Sequence, residues 1–529
     1  MSDFKPVVGI DLGTTFSAIA YVDEYDKPVV IPNQENKPIT ASVVNFYDKE
    51  TFVVGDEAVN RLIADRDNTV SFIKRRMGEP GFKLNIHGED YNPQKISSHI
   101  LSKLKRDAEA YFQNQGIDVA VKDAVITVPA YFGMEQKGAT KEAGELAGLN
   151  VLMIMNEPTA AALAFGINKL GKNQTVFVFD LGGGTFDVTI LEIKGKEINM
   201  IASDGNPELG GKDWDDALVD FCSNAFKSKY GEDPQDDPNS YQELYERVLK
   251  AKISLSKLPK AQIQISHNGK RENIEITREK FEELSKNLLA QCNSLSQRVL
   301  EKAGKIWNDI DTVLLVGGST YMPMVRSLIK EISGKEPSTD VNPDQCVAIG
   351  AAFQARYRFI EEEVEKVKEA KGEKEAEKFK KTLLGGLPDV KVTECVAKSL
   401  GIIVLNDAGE EVVVEMIPEQ TQIPCTIEQY FSYAYDNQTA LHAEITEGQG
   451  DVKAEVSVVG ELLLKDLPQR HKGDPIKVIY TYNRDKTLDI TVIDEETGTK
   501  GKGKVALGGA MSEEEKRKER ERLAKKKQE

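Results

Sequence analysis

The first 350 residues alternate short apolar runs with longer segments of helical periodicity. The short runs are rich in β-branched and aromatic residues and predict buried strands; they are VVGID from Val7, AVITVPA from Ala124, VFVFDLG from Val176 and VLLVGGS from Val313. Between the first two, residues 97–113 place apolar side chains at helical spacing. This alternation predicts an α/β domain.

The pattern changes after residue 358. Residues 361–381 are almost all charged and predict one solvated helix, which the LLGGLP sequence then ends. From about Val390, alternating runs separated by turn residues predict an antiparallel β domain, with a hairpin turn at residues 483–486. The tail has almost no apolar residues, and we expect it to be disordered or a free helix. The predicted parts are a nucleotide-binding domain at 1–358, a charged helix and linker at 359–394, a β-sandwich at 395–510 and the tail at 511–529.

Composition narrows the class of protein. The net charge of -17 argues against non-specific binding to nucleic acid. The apolar runs are too short for a membrane-spanning helix, and the first residues lack the pattern of a signal peptide. The cysteines are odd in number, widely spaced and without a CxxC motif; they are Cys222, Cys292, Cys346, Cys395 and Cys425. We therefore expect reduced thiols in the cytoplasm, with neither a disulfide framework nor a zinc site.

Two hairpin-like segments repeat about 170 residues apart. In each, an apolar strand ends at an aspartate, Asp11 or Asp180, and a Gly/Thr turn leads directly into a second strand. Glycine lets the backbone approach a phosphate closely, and successive N–H groups form an anion-binding nest. The threonine hydroxyls are suited to donate to phosphate oxygens, and the aspartates to hold Mg²⁺ directly or through its water shell.

A third glycine element, LLVGGST at Leu314 to Thr320, stands between a predicted strand and a helical pattern. Such a strand-to-helix turn is typical of nucleotide sites. One glycine turn alone would indicate no more than a tight turn, but two matching hairpins with this third element favour a nucleotide. The chain has no Walker A motif, which excludes a P-loop protein.

The sequence resembles the heat-shock protein 70 chaperone family over nearly all of its first 355 residues. The matching strings are IDLGTT from Ile10, TVPAYF from Thr127, NEPTAAALAFG from Asn156, FDLGGGTFD from Phe179, ELGGKDWD from Glu208, VGGST from Val316 and NPDQCVAIGAAFQA from Asn342. The resemblance implies an α/β actin-like ATPase domain, with a duplicated ribonuclease H-like fold, followed by a β-sandwich peptide-binding domain. It also implies ATP or ADP, Mg²⁺ and K⁺ as cofactors.

The resemblance assigns roles to individual residues. Asp11, Glu157 and Asp180 match the family carboxylates that organise Mg²⁺ and the attacking water. The implied catalytic residues are Lys74, Glu157, Asp180, Thr185 and Asp187. The residues implied to bind ATP are Asp11, Gly13, Thr14, Thr15, Gly182, Gly183, Gly184, Gly210, Gly211, Lys252, Ser256, Gly317, Gly318, Ser319, Tyr321 and Asp344. Phosphoryl transfer needs positioning and charge neutralisation, which such a set supplies. Without the resemblance, Lys74 would be interpreted as a surface lysine in a basic run.

The family usually holds the adenine between two arginines, and this chain has neither. Ile253 and Tyr321 stand at those positions, and Leu249 replaces a glutamate near the ribose. Base stacking contributes roughly 1–3 kcal/mol, so the loss of both clamps predicts ATP binding weakened by about 10- to 100-fold. Stacking on Tyr321 would recover part of this loss, and a repacked pocket with little net effect is the alternative.

Other departures concern partners and coupling. Met153 stands where the family's J-domain cochaperones contact an arginine, and Lys391 and Thr393 interrupt the leucine-rich linker, which predicts weaker docking and weaker coupling. In the β domain, the positions that line or cover the family's peptide groove are Ile402, Leu405, Phe431, Ala434 and Leu441; core packing is the alternative for each. We expect no counterpart of the family's helical lid, and we therefore expect bound peptide to leave fast.

Two hypotheses follow. The first is a cytoplasmic, slowly ATP-hydrolysing chaperone that binds extended apolar peptides, with a J-domain cochaperone and a nucleotide exchange factor as expected partners and with neither nucleic acid nor membrane. The second is a nucleotide-bound scaffold that no longer cycles and acts beside another chaperone or at the ribosome. The intact carboxylates and Lys74 favour the first; the altered adenine end, linker and Met153 favour the second. The β domain argues against a sugar kinase.

Overall fold

The computed structural model describes residues 5–167, 169, 172–465, 467–484, 486–505 and 511–528. Its first lobe contains β1 Val7–Asp11, β2 Phe16–Val22, β3 Pro28–Val30, β4 Thr40–Ala41, β5 Val44–Phe46, β6 Thr51–Val54, α1 Asp56–Asn60, β7 Thr69–Val70, β8 Leu84–Ile86, β9 Glu89–Tyr91, α2 Pro93–Asn114, β10 Asp123–Val128, α3 Met134–Leu146, β11 Asn150–Asn156 and α4 Glu157–Gly166. The four strands and the helix expected from apolar runs all form: two of the strands and the helix lie in this lobe, and the other two strands lie in the second lobe.

The second lobe repeats the plan of the first. It contains β12 Gln174–Leu181, β13 Phe186–Lys194, β14 Glu197–Asn206, α5 Gly211–Tyr230, α6 Pro238–Leu255, β15 Lys260–His267, β16 Lys270–Thr277, α7 Arg278–Leu284, α8 Lys286–Lys302, β17 Thr312–Val316, α9 Pro323–Ser333 and α10 Cys346–Lys371. β1 pairs antiparallel with β2 and parallel with β10, and β12 pairs in the same way with β13 and β17. The repeated sequence hairpins therefore occupy equivalent places in two sheets.

Helices α4 and α10 lie between the two lobes and hold the hairpins close together. A Cβ added to Gly350 of α10 would lie 1.8 Å from the carbonyl oxygen of Ala160 in α4. A Cβ added to Gly9 of β1 would lie 2.0 Å from the backbone nitrogen of Ala352. Only glycine permits such close approach of two backbones, so these two positions fix how the lobes meet.

The single charged helix predicted over residues 361–381 is wrong in one respect. Helix α10 ends at Lys371, and a second helix, α11 Glu373–Leu384, begins two residues later. Gly372 between them has φ +85°, a left-handed conformation that interrupts the helix and that glycine adopts without strain.

The remaining chain forms a linker strand and a two-sheet β domain. The strands are β18 Lys391–Cys395, β19 Leu400–Leu405, β20 Glu411–Ile417, β21 Gln422–Ile423, β22 Cys425–Ser432, β23 Leu441–Glu447, β24 Ser457–Leu464, β25 Pro475–Tyr482, β26 Leu488–Asp494 and β27 Lys500–Val505. The sheet order is β20-β19-β23-β24 in one layer and β22-β25-β26-β27 in the other. Apolar residues of both sheets share one core, and the predicted hairpin joins β25 and β26, although Asp485 of its turn lies outside the described residues.

The linker docks on the second lobe in spite of its two polar interruptions. β18 pairs parallel with β14 through residues 391–393 and antiparallel with β21. Backbone hydrogen bonds do not require apolar side chains, so Lys391 and Thr393 fit a strand whose outward face is open. The β domain also reaches the second lobe through Gln420, which accepts from the backbone N–H of Ser203 at 3.0 Å and donates to its carbonyl at 3.1 Å.

The expectation of a disordered or free tail is wrong. The tail forms α12 Glu513–Lys525 and β28 Lys527–Gln528, and β28 adds to the edge strand β6 of the first lobe. Leu523 is buried in the same apolar core as Ile10 and Phe46. Lys526 donates to the hydroxyl of Tyr91 at 2.6 Å. One buried leucine and a set of ion pairs with the first lobe thus anchor a helix whose composition alone indicated a solvated segment. None of the helices in the described part of the chain is long and apolar enough to cross a membrane.

Candidate nucleotide site

The turns of the two repeated hairpins touch each other at the junction of the lobes. A Cβ on Gly183 would lie 1.8 Å from the Oγ1 atom of Thr15, and one on Gly184 would lie 2.4 Å from Cγ2 of Thr14. The glycines of one turn therefore make room for the threonines of the other. This packing brings the backbone N–H groups and hydroxyls of both turns to one place.

The turn of the second hairpin is fixed by backbone hydrogen bonds. Gly182 N–H donates to the carbonyl of Thr185 at 3.0 Å, and Gly211 N–H donates to the carbonyl of Gly182 at 2.9 Å. The hydroxyl of Ser319 donates to that same carbonyl at 2.8 Å, which ties the third glycine element to the turn. Helix α5 begins at Gly211, so its positive end faces the junction and favours an anion there.

Three buried carboxylates, Glu157, Asp180 and Asp187, and the half-buried Asp11 surround the junction. Burial, reinforced by the charge of Glu157, raises the pKa of Asp11 and of Asp187 to about 7 each. The same two causes raise the pKa of Asp180 well above its ordinary value. Asp187 accepts a hydrogen bond from the backbone N–H of Tyr131 at 3.0 Å, which holds its carboxylate in place. So many carboxylates in one buried place attract a cation or a proton.

Lys74 supplies a positive charge among these carboxylates. Its Nζ atom lies 2.6 Å from Oε1 of Glu157, and both side chains are buried. It stands in a short helical turn at residues 73–76, directly after Phe72, whose backbone is left-handed. The next residue, Arg75, donates to the carbonyl of Gly184 at 3.0 Å and pairs with Asp213. Sequence reasoning missed Arg75, although it follows Lys74 in the basic run.

A cavity of about 540 Å³ opens from the junction. The predicted nucleotide residues that line it are Asp11, Gly13, Thr14, Thr15, Lys74, Glu157, Asp180, Gly182, Gly183, Thr185, Gly211, Lys252, Ser256, Gly317, Gly318, Ser319, Tyr321 and Asp344. Three other predicted residues, Gly184, Asp187 and Gly210, are not among its lining residues. Gly210 packs behind the turn, where its Cβ would lie 2.5 Å from the nitrogen of Gly184.

The far end of the cavity contains residues that sequence reasoning did not assign to the site. Asp215 pairs with Nζ of Lys252 at 2.8 Å and accepts from the hydroxyl of Tyr245 at 3.2 Å. Phe72 packs edge-on against Tyr245, with ring centroids 6.2 Å apart. The string ELGGKDWD contains Asp215, so the family resemblance was the signal that could have found it.

The donor set fits a magnesium ion held through one or two carboxylates. Oδ2 of Asp180 is buried without a hydrogen-bond partner, and Asp11 is close enough to raise the pKa of Asp180 further. Within the described residues, no group of three or more acidic, histidine or cysteine side chains converges as an all-protein metal cage. Mg²⁺ commonly keeps several waters and takes one or two carboxylates, so these two observations agree.

The structure places the predicted peptide-binding residues in or beside the core of the β domain. Ile402 is buried between the sheets, and Phe431 and Leu441 are half-buried against the same core. Ala434 is half-buried after β22, and Leu405 is exposed at the end of β19. None of them lines the nucleotide cavity or the cavity beside the linker strand.

Comparison with known proteins identifies the family of the chain. The model of the Hsp70 protein family matches residues 7–83, 78–370 and 379–529, which together cover nearly the whole sequence. The chain belongs to the Hsp70 family. It is similar to the chaperone protein DnaK of Thermotoga neapolitana, with 39% identity over 517 residues, 96% of this chain and 82% of the relative.

Membership of the Hsp70 family confirms the predicted fold and function. The two lobes form the actin-like ATPase domain, and the two facing sheets form the β-sandwich substrate-binding domain. The protein is an ATP-dependent chaperone and an ATPase of the Hsp70 type. The alternative of a scaffold that no longer cycles is not favoured by a match of this extent.

Proposed function

We propose that the Hsp70 protein binds ATP with its phosphates at the touching hairpins and hydrolyses it slowly there. The observation that supports this proposal is the buried Lys74–Glu157 pair among Asp11, Asp180 and Asp187, next to the backbone N–H groups of both turns. Lys74 and the positive N-terminus of α5 offset the charge of the phosphates, and the hydroxyls of Thr14 and Thr15 donate to the phosphate oxygens. Such preorganised donors stabilise the charge that spreads over the transferred phosphoryl group.

The attacking water is oriented by the carboxylates on the opposite side of Lys74. Asp187 is held by the N–H of Tyr131, and its pKa of about 7 suits it to accept a proton from water near neutral pH. Asp11, Glu157 and Asp180 would hold Mg²⁺, one or two of them directly and the rest through its water shell. When it is bound, the charge of the ion offsets that of the phosphate oxygens. K⁺ is a further cofactor that we include in the proposal.

The substrates of the β domain are extended apolar segments of unfolded polypeptides. Phe431 lies on β22, an edge strand of its sheet, which suits a peptide bound as an added strand. Leu441 and Leu405 offer further partly exposed apolar surface at the ends of β23 and β19. We propose a cytoplasmic location, with a J-domain cochaperone and a nucleotide exchange factor as partners and without nucleic acid or membrane. The net charge of -17 argues against binding to nucleic acid.

Steady-state ATPase of the wild type beside Lys74→Ala tests the proposal. Loss of the buried cation leaves Glu157 unpaired and the γ-phosphate without its lysine, so turnover is expected to fall by about 10²- to 10³-fold. Lys83→Ala, at an exposed position nearby, is the control and keeps wild-type turnover. A wild type that binds ATP but turns over no faster than Lys74→Ala would contradict the proposal.

A further inference from the structure

The end of the nucleotide cavity opposite the hairpins is walled by apolar side chains from two elements. Leu249 and Ile253 stand one turn apart on α6, and Tyr321 comes from the short helical turn at residues 318–321. Ile253 is 55% exposed and Tyr321 52% exposed, although both line the cavity. Apolar surface presented to a cavity by two separate elements is available to a flat ring.

The charged groups at this end are already paired within the protein. Lys252 lies between Oδ1 of Asp215 and the carbonyl of Gly211, at 2.8 Å from each. Asp344 lies close enough to Tyr321 to accept a hydrogen bond from its hydroxyl. Lys257 is exposed at the mouth. Because the inner charges are satisfied, a base that enters meets mainly ring and methyl surface.

Ser256 is the polar side chain best placed to meet the base. It follows Lys252 and Leu249 on the cavity face of the helix end, and its hydroxyl is a weak donor to the carbonyl of Lys252 at 3.4 Å. A hydroxyl both donates and accepts, so it pairs equally with the amino group of adenine or the carbonyl of guanine. It therefore adds little to discrimination between purines.

We propose that Tyr321, Ile253 and Leu249 form a stacking slot that holds purine rings by contact area and accepts guanine and hypoxanthine as well as adenine. This inference rests on the proposed function, because it takes the phosphates to lie at the hairpins. A pocket that only encloses a substrate rejects a polar analogue by about 10²-fold, whereas one that hydrogen-bonds the distinguishing group rejects it by 10⁴- to 10⁵-fold. The stacking slot is a pocket that only encloses the base.

Isothermal titration of the full chain with ATP, GTP and ITP, each with Mg²⁺, tests the slot. The dissociation constants of GTP and ITP are expected to lie within about 100-fold of that of ATP. A larger ratio, with ATP bound, would overturn the slot while leaving the proposed function intact. Failure of all three nucleotides to bind would instead contradict the proposed function.

Variants of Tyr321 separate stacking from a merely structural role. Tyr321→Ala is expected to weaken binding of ATP and GTP alike, by about 10- to 100-fold. Tyr321→Phe keeps the ring and is expected to stay within about threefold of wild type. Tyr25→Ala removes a tyrosine that is 73% exposed outside the cavity and is the matched control. If Tyr321→Ala binds like wild type, or if Tyr321→Phe is as weak as Tyr321→Ala, the slot is wrong.

Discussion

Lys486 of the β domain and Glu394 of the linker form a buried ion pair at the surface of the ATPase domain. The Nζ atom of Lys486 lies 2.8 Å from Oε2 of Glu394 and donates to Oδ1 of Asn156 at 2.9 Å. Oε1 of Glu394 accepts from the backbone N–H of Asn156 at 2.8 Å. Because Asn156 directly precedes Glu157, this pair joins the β domain to the residue that holds Lys74.

Lys486→Met is expected to weaken docking of the β domain. Breaking a buried pair leaves one charge uncompensated and costs about 3–5 kcal/mol, whereas neutralising both partners costs far less. The distance between dyes on the two domains, measured by energy transfer with ATP, should therefore increase in the single variant. Lys472→Met, at an exposed lysine of the same domain, is the control. The double variant Lys486→Met/Glu394→Met should recover much of the docking, and equal distances in all variants would refute the role of the pair.

Gly183→Ala is expected to destabilise the nucleotide site, while Gly182→Ala leaves the fold intact. The added Cβ at Gly183 would lie 1.8 Å from Thr15 Oγ1, whereas at Gly182 its nearest neighbour lies at 3.6 Å, an ordinary contact. Overpacking of this kind costs about 1–3 kcal/mol. Urea unfolding of both variants measures the difference, and equal free energies of unfolding would show that the hairpins do not meet as described.

Leu523→Asp is expected to release the tail from the first lobe. A buried aspartate without a partner cannot remain in the apolar core, so α12 should become accessible. Hydrogen exchange of residues 513–525 reports this directly. Ala524→Asp, at the exposed neighbouring position, is the control and keeps the helix protected. Protection of α12 in Leu523→Asp equal to that in wild type would contradict the docked tail.

Docking of the tail is expected to strengthen as the pH rises above about 8. Burial, with a contribution from the charge of Arg522, lowers the pKa of Lys526 to about 8. Between about pH 8 and the ordinary pKa of lysine, the docked tail therefore binds fewer protons than the free tail. Stability therefore increases with pH through this window and is insensitive to Lys526 below it. The groups that face Lys526 are Glu89, Tyr91, Glu519 and Arg522.

The measurement is the difference in free energy of unfolding between wild type and Lys526→Met, at pH 7 and at pH 9.5. This difference should shift in favour of wild type at the higher pH. Lys525→Met, at an exposed lysine, should show no such shift. The same difference at both pH values for Lys526→Met would mean that Lys526 does not titrate in the docked tail.

Apolar periodicity in the sequence predicted most of the fold, and the glycine motifs marked three elements that the fold brings together. Strands such as β1 and β12 are buried along nearly their whole length. Such strands consist of consecutive apolar residues, which are easy to recognise in a sequence. The tail could not be predicted in the same way, since its attachment depends on Leu523 and on ion pairs with residues more than 350 positions away. Sequence reasoning did not assign Asp215 and Arg75 to the site for a similar reason: their roles depend on partners that folding brings near.

The tail has a consequence for the synthesis of this protein. Lys526 and Tyr91, which meet in the first lobe, are 435 residues apart in the chain. At about 5–20 residues per second, a ribosome makes Tyr91 roughly 20–90 s before Lys526. During that interval the apolar site of Leu523 is uncovered, and strand β6 has no partner on its outer edge. A nascent Hsp70 chain of this kind thus exposes, for a time, the type of surface that chaperones bind.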